Sequence, residues 1–271
     1  MFEFSLRRVA LCGQQPEEEP GELADPPSDL AAVIGATGDQ FRDSFTRLCL
    51  YLAHSHDDAP QARTDDTVVI GTEYGNTEAL ARLQLDAESE GRMLSAKRFP
   101  NATSSSASAF VNIGIGATGR NLTLNAGLLT PVIAIWQALF ALASGRSSTS
   151  KVLVGDVYSA EALLDARRES HDLRCRSGLT HATFVRGGEF RAEFDFTADR
   201  DPAAAPGGQV GPHRSRDRNG AFVTAEFLHL AQTLEVGERA VLTCRGPLAR
   251  RGALTVTRQH VDAARNGGHG G

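Results

Sequence analysis

Lysine is almost missing from this chain: of its 28 basic residues only Lys97 and Lys151 are lysines, the rest being arginine. That bias reads as compositional background. Set against 33 acidic residues it leaves a net charge of −5 and a pI near 5.9. A mildly acidic chain lacks the electrostatic footprint of a nucleic-acid binder. Cysteine is sparse and scattered, at Cys12, Cys49, Cys175 and Cys244. None sits in a C-x-x-C pair, which leaves zinc and thioredoxin-like sites without support, and no metal or cofactor is expected. The apolar runs reach only about a dozen residues before Gly, Ser or Arg breaks them, short of the ~20 needed to span a bilayer. No basic segment followed by an apolar one opens the chain, so the expected location is cytoplasmic, with reduced thiols. No repeat with a period of about 20–50 residues is visible.

What is present is ordinary for a soluble globular protein: 271 residues, 41% hydrophobic and 23% charged. The length suits one large or two small domains, and it can bury a core without a staple. Residues 2–10 alternate as an opening strand, and 13–29 form a Pro- and Glu-rich loop. A helical pattern follows over 40–54, with Phe41, Phe45, Leu48, Leu50 and Leu52 near one face. The run Thr67-Val-Val-Ile-Gly-Thr72 reads as a buried parallel strand, and Asn76 or Thr77 can cap a helix over 77–90. A strand at Asn121–Asn125 leads through the turn 126–130 into an almost wholly apolar helix, Pro131–Ala143. Thr130 as N-cap, Pro131 at the first position and Gly145 past the end punctuate it. A helix apolar on every side belongs in the middle of a fold. Lys151–Asp156 reads as another buried strand and Ala160–Arg168 as a short helix; Phe190–Phe196, Ala240–Cys244 and Ala253–Thr257 read as strands, and Ala221–Leu234 as a helix. Residues 200–219 suit a mobile loop. Alternating strands and helices imply a layered α/β sandwich.

Two glycine patterns, Val33-Ile-Gly-Ala-Thr-Gly38 and Gly114-Ile-Gly-Ala-Thr-Gly119, invite a dinucleotide reading. That chemistry needs a strand, a Gly-rich turn and a helix N-terminus facing the pyrophosphate. The second pattern leads into a strand and the first follows none. A nucleotide-dependent oxidoreductase is therefore the weakest class considered.

The centre of the chain resembles the amino-terminal half of a β-ketoacyl synthase, in the thiolase-like superfamily. Residues 121–145, NLTLNAGLLTPVIAIWQALFALASG, then KVLVGD, follow that family's strand, elbow, apolar helix and strand without a gap. Thr123, Ala134, Ala138, Ala141, Leu142, Ser144 and Gly145 match in type and spacing. Phe99-Pro100-Asn101 with Gly114, Gly116 and Gly119, and Val69-Ile-Gly-Thr72, resemble upstream family segments. The likeness covers residues 65–160 well and 212–258 faintly, through Gly220–Ala225 and Ala253–Val256. It implies a thiolase-like αβαβα sandwich with a shortened second half. Residues 1–170 would form the first half, 171–258 the second, and 259–271 a disordered tail.

The departures are chemical. Leu128 stands where the family has its nucleophilic cysteine, and leucine has no lone pair to attack a thioester. It is expected to fill the old pocket with apolar volume. Thr130, two residues on, is expected to cap the helix. The family's D-x-H-G-T-G-T segment is absent; His213 in an Arg-rich stretch and His181 are weak stand-ins for its histidines. Cys175, in LRCRSG, reads as exposed, where arginines would lower its pKa. Glu73 and Asp156 follow strand ends and read as capping or rim carboxylates. The resemblance implies a catalytically silent subunit of the chain-length-factor type. It would pair with an active ketosynthase as a hetero- or homodimer, with acyl carrier protein as a further partner. Its role would be to shape the acyl tunnel or steady the partner in polyketide, fatty-acyl or polyene elongation. Phe99, Phe110, Trp136 and Phe140 are the expected interface, an obligate contact above about 2,000 Å². The alternative is an enzyme acting on carrier-protein thioesters, a hydrolase, isomerase or transferase, with Cys175, His181 or His213 converging on the pocket. No membrane and no nucleic acid is expected.

Overall fold

The computed structural model describes residues 1–19, 21, 26–35, 37–55, 64–89, 94, 96–169, 173–196, 209–210, 217–246 and 250–260. In chain order the elements are β1 (Phe2–Gly13), α1 (Leu30–Ile34), α2 (Ser44–Ser55), β2 (Thr67–Gly71), α3 (Thr77–Glu88), α4 (Ser106–Gly114) and β3 (Asn121–Leu124). Then come α5 (Thr130–Ala143), β4 (Thr149–Asp156), α6 (Ala160–Glu169), β5 (Gly178–Asp195), β6 (Gln209–Val210), α7 (Gly220–Thr233), β7 (Arg239–Arg245) and β8 (Arg251–Arg258). Short 3-10 turns occupy Asp39–Phe41 and Ala96–Asn101. The segment 99–119, read only as a glycine-rich run in the sequence, contains α4.

The strands hydrogen-bond into one eight-stranded mixed sheet in the order β3-β2-β4-β5-β8-β7-β6, with β1 paired to β5. β2 runs parallel to both β3 and β4, while β5 is antiparallel to β4, β1 and β8. β5 is the hinge of the architecture. Its first half pairs with β4 and its second half with β8, so it carries the sheet from one layer to another. β1 follows it throughout, but the register jumps from Phe4↔Phe190 to Ser5↔Val185, so residues 186–189 bulge out. A side chain at Gly187 would meet Ser5 Oγ at 2.1 Å, so the bend needs glycine there.

The layers follow from strand periodicity. Val68, Ile70 and Leu153 enter a core with Phe45, Leu48, Leu52 and Val111 of α2 and α4. Val69, Val152 and Val154 enter a second core with Val132, Ile135 and Leu139 of α5 and Phe227 and Leu228 of α7. Strands buried on both faces read as unbroken apolar runs, as β2 and β4 do. α5 and α7 also pack against β7, and α5 against β8, so the central helices lie between two β layers. In β7, Ala240, Leu242 and Cys244 point inward while Arg239, Thr243 and Arg245 are exposed. Among the described residues the layers therefore run α, β, α, β.

α5 is as central as its composition implied, burying nine of its residues. Its capping differs. Leu129 occupies the N-cap, Thr130 is the first helical residue, and the Thr130 hydroxyl accepts from the Ala126 N–H at 3.0 Å. The hydroxyl thus bonds backward, closing the turn before the helix. The expected strand Phe190–Phe196 is only the far end of β5, which runs from Gly178 and stops at Asp195.

Candidate functional site

Three strands end at one edge: β2 before Thr72, β3 before Asn125 and β4 at Asp156. The starts of α5 and α7 face the same edge. Ligand sites of α/β sheets concentrate at carboxyl ends of strands. A cleft of about 650 Å³ opens there, lined by Glu73, Tyr74, Asn125, Gly127, Leu128, Asp165, Glu169, Arg218 and Gly246.

Asp156 organises its base. One of its oxygens accepts from Thr72 Oγ1 at 2.5 Å and from the N–H groups of Glu73 and Tyr74 at 2.9 and 2.8 Å. Burial raises its pKa, against these bonds. Asn219 caps α7, its Oδ1 accepting from the Ala221 N–H at 3.0 Å. Its amide nitrogen lies within 2.9–3.0 Å of the carbonyls of Asp156, Arg176 and Gly178. This pins the start of α7 to β4 and β5. Gly155, at φ 141°, lets the chains pass, since a Cβ there would lie 2.2 Å from the Gly178 carbonyl oxygen.

Arg218 lies beside that cap. Its Nε donates to Glu73 Oε2 at 2.9 Å, a terminal nitrogen donates to Glu169, and its guanidinium stands 5.7 Å from the Tyr74 ring centroid. Burial opposes its charge, and the surrounding carboxylates of Glu73 and Glu169 more than offset this, holding its pKa above the usual value. The Glu73 side chain is 10% exposed, and its Oε1 has no hydrogen-bond partner. Burial first, then the charge of Asp156, pushes its pKa up to about 7, with Arg218 pulling the other way.

The elbow forms the opposite wall. Asn125 donates from its side chain to the Glu73 carbonyl at 2.9 Å and accepts from the Gly127 N–H at 3.1 Å. Gly127, at φ 55°, faces Glu73 so closely that a Cβ there would sit 3.4 Å from Oε1. Leu128 is half-buried and lines the cleft.

The sequence candidates do not converge. Cys175 is 4% exposed and packs with Tyr158, Ala162 and Ala166. Burial raises its pKa, so the expectation of an exposed, activated thiol fails. The neighbouring arginines are held in other partnerships: Arg174 donates to the Pro16 carbonyl and the buried Arg176 to Asp217. His181 is fully buried near the start of β5, opposite Leu153 of β4 and Ala10 of β1, and is not among the residues lining the cleft. His213 lies outside the described residues. Among the described residues that line the cleft there is no cysteine, serine or histidine. Glu73 and Asp156, read as rim carboxylates, are its buried centre, and Arg218 had no sequence signal.

The surface aromatics form two groups. Phe99 is 51% exposed, and Phe110 on α4 lies under the Arg42 guanidinium at 5.5 Å. On α5, the Trp136 and Phe140 rings stack at 6.0 Å, with Phe196 edge-on to Trp136 at 6.3 Å. β3, the sheet's edge strand, packs against both α4 and α5.

Compared with solved structures, the chain has the fold of the thiolase-like ketosynthases. The ishigamide ketosynthase/chain length factor matches with a TM-score of 0.69 at 16% identity, over 87% of this chain and 86% of that one. A ketosynthase (ApeO) in complex with its chain length factor (ApeC) from Xenorhabdus doucetiae matches with a TM-score of 0.59 at 11% identity, over 95% and 100%. The ketosynthase from module 6 of the bacillaene synthase from Bacillus subtilis gives 0.60 at 9% identity, over 90% of this chain and 62% of that one. No protein-family profile and no curated protein sequence matches. No helix among the described residues is long and apolar enough to cross a membrane.

Proposed function

We propose that this chain is a ketosynthase-like subunit of the chain-length-factor type. It pairs with an active β-ketoacyl synthase in polyketide or polyene chain elongation, where it shapes the acyl tunnel or steadies its partner. The observation that carries this reading is Leu128. It occupies the strand-to-helix elbow at the start of α5, in a cleft whose described lining holds no cysteine, serine, threonine or histidine. Thr130 is no substitute, being buried with its oxygen engaged by Ala126. Acyl transfer needs an activated nucleophile within hydrogen-bond reach of a base, and Cys175 and His181 do not supply that pair.

The surface agrees. β3 ends the sheet and pairs only with β2 among the described strands, leaving an unpaired edge beside Phe110 and Ile113, the latter 76% exposed. An uncovered strand edge flanked by exposed apolar groups suits a partner. Phe99, Phe110, Trp136 and Phe140 belong to the proposed contact.

The test is co-expression with the full-length ketosynthase encoded nearest this gene, tagging one protein only. Size exclusion with mass detection follows, then carrier-protein elongation with and without this chain. A stable 1:1 complex required for elongation is expected. A chain that purifies alone, as monomer or homodimer, and leaves elongation unchanged overturns the proposal.

A further inference from the structure

The cleft carries a charge imbalance that partner pairing does not use. Its described ionisable lining is Glu73, Asp165 and Glu169 against the single cation Arg218, with buried Asp156 beneath. Arg218 is already engaged by both Glu73 and Glu169. What remains is Glu73 Oε1, an oxygen of a nine-tenths-buried carboxylate with no hydrogen-bond partner. A desolvated carboxylate oxygen without a donor is costly, and a charged N–H donor is its strongest partner. Leu128 and Gly127 supply an apolar wall beside it.

We propose that this cleft binds a small primary alkylammonium ligand, its ammonium donating to Glu73 Oε1 and its alkyl stem lying along Leu128. The cleft's volume suits a small organic molecule. Anionic ligands, carboxylates and phosphates alike, meet three carboxylates and a guanidinium already engaged. Without a ligand, the missing positive charge is met by a proton on Glu73, consistent with its raised pKa. An ammonium replaces that proton. The groups acting on Glu73 are Asp156 from β4, Glu169 from α6, and Arg218 ahead of α7, with Asp165 of α6 and Tyr74 in the same lining. With a carboxyl that titrates near 7, binding rises about tenfold from pH 6 to pH 8, while the amine, with a pKa near ~10, stays protonated.

The proposal does not depend on the partner reading, since it uses only this chain's residues. The experiment is saturation-transfer NMR on the purified full chain with n-butylammonium chloride, using n-butanol and sodium butyrate as controls. Saturable binding of butylammonium alone, with a Kd on the order of 1 mM, is expected. Glu73→Gln weakens it at least ~tenfold and removes its pH dependence, because the neutral amide no longer offers a charge. Leu128→Phe leaves the ion pairs intact, narrows the cleft and weakens it several-fold. Absence of saturable butylammonium binding overturns the proposal, as does equal binding of butanol or butyrate. So does a folded Glu73→Gln variant that binds unchanged. If that variant fails to fold, unchanged binding by Leu128→Phe overturns it.

Discussion

Asp217 and Arg218 are neighbours in the chain, yet each anchors a different kind of buried ion pair. Asp217 meets Arg176 in a two-pronged pair, Nε to Oδ1 at 2.8 Å and Nη2 to Oδ2 at 2.5 Å. Arg176 also donates to the Gln14 carbonyl at 3.0 Å and lies 3.8 Å from the Phe222 ring centroid. Both carboxylate oxygens are engaged, and the pair ties the end of β1 to the start of α7. Arg218 instead engages Glu73 through one oxygen only and leaves the other without a partner beside a cleft. A pair with both oxygens engaged is a structural clamp; a pair with one oxygen left over stores an unmet demand that a proton or ligand can satisfy.

The clamp gives the largest expected effect. Arg176→Ala removes two hydrogen bonds to the buried Asp217 carboxylate and one to the Gln14 carbonyl, so stability falls by about 3–5 kcal/mol in urea unfolding. A loss below about 1 kcal/mol would put the Arg176 pair with solvent-screened surface bridges and erase the contrast.

Next is the pH dependence of stability. Glu73 holds its proton more tightly folded, at about 7, than at its ordinary 4.5. Between those values the folded state carries more protons than the unfolded one, so stability falls as pH rises through this window and levels off above it. The full effect is about 3 kcal/mol. Asp43, raised to about 6 mainly by burial, slopes the same way. Urea midpoints at pH 5 and pH 8 should therefore show a decline that Glu73→Gln flattens in larger part, and Asp43→Asn in smaller part. A slope untouched by Glu73→Gln means that its free oxygen is solvated, and the two ion pairs are then alike.

The same contrast explains what the sequence revealed. α5, β2 and β4 were legible because their signals are local: an apolar run, a Pro near one end, a Gly past the other. The place of Leu128 at the elbow came only from the resemblance to the ketosynthase family. β5 was seen only at its far end, because Gly187 and Gly188 at its bend look like a turn, and because Thr180 and His181 interrupt the apolar pattern with polar residues that the fold buries. Cys175 was misplaced for a related reason. Flanking arginines look like a solvated surface until Arg176 finds Asp217, 41 residues away. The pair of Glu73 with Arg218 spans 145 residues, and no local pattern announces it.

The smallest expected effect tests the elbow itself. Leu128→Cys returns a thiol to the start of α5, where the helix N-terminus favours an anion by roughly 0.3–1 kcal/mol. In a nucleophilic elbow that contribution lowers the thiol pKa. Here Glu73, Asp165 and Glu169 line the same cleft and oppose a thiolate, while Arg218 is already held by two of them. The carboxylates outweigh the dipole, so the introduced thiol keeps a pKa at or above the ordinary ~8.5. Its iodoacetamide reactivity, followed against pH, reads this directly. The native thiols give little background, since Cys49, Cys175 and Cys244 are buried and burial raises all four pKa values, including that of half-buried Cys12. A thiol ionising below pH 7 would show that the cleft still favours an anion, against both the silent elbow and an ammonium ligand. One that titrates at or above the ordinary value ties the two together: the charge balance that unsuits this elbow for a thiolate is the one that suits its cleft to a cation.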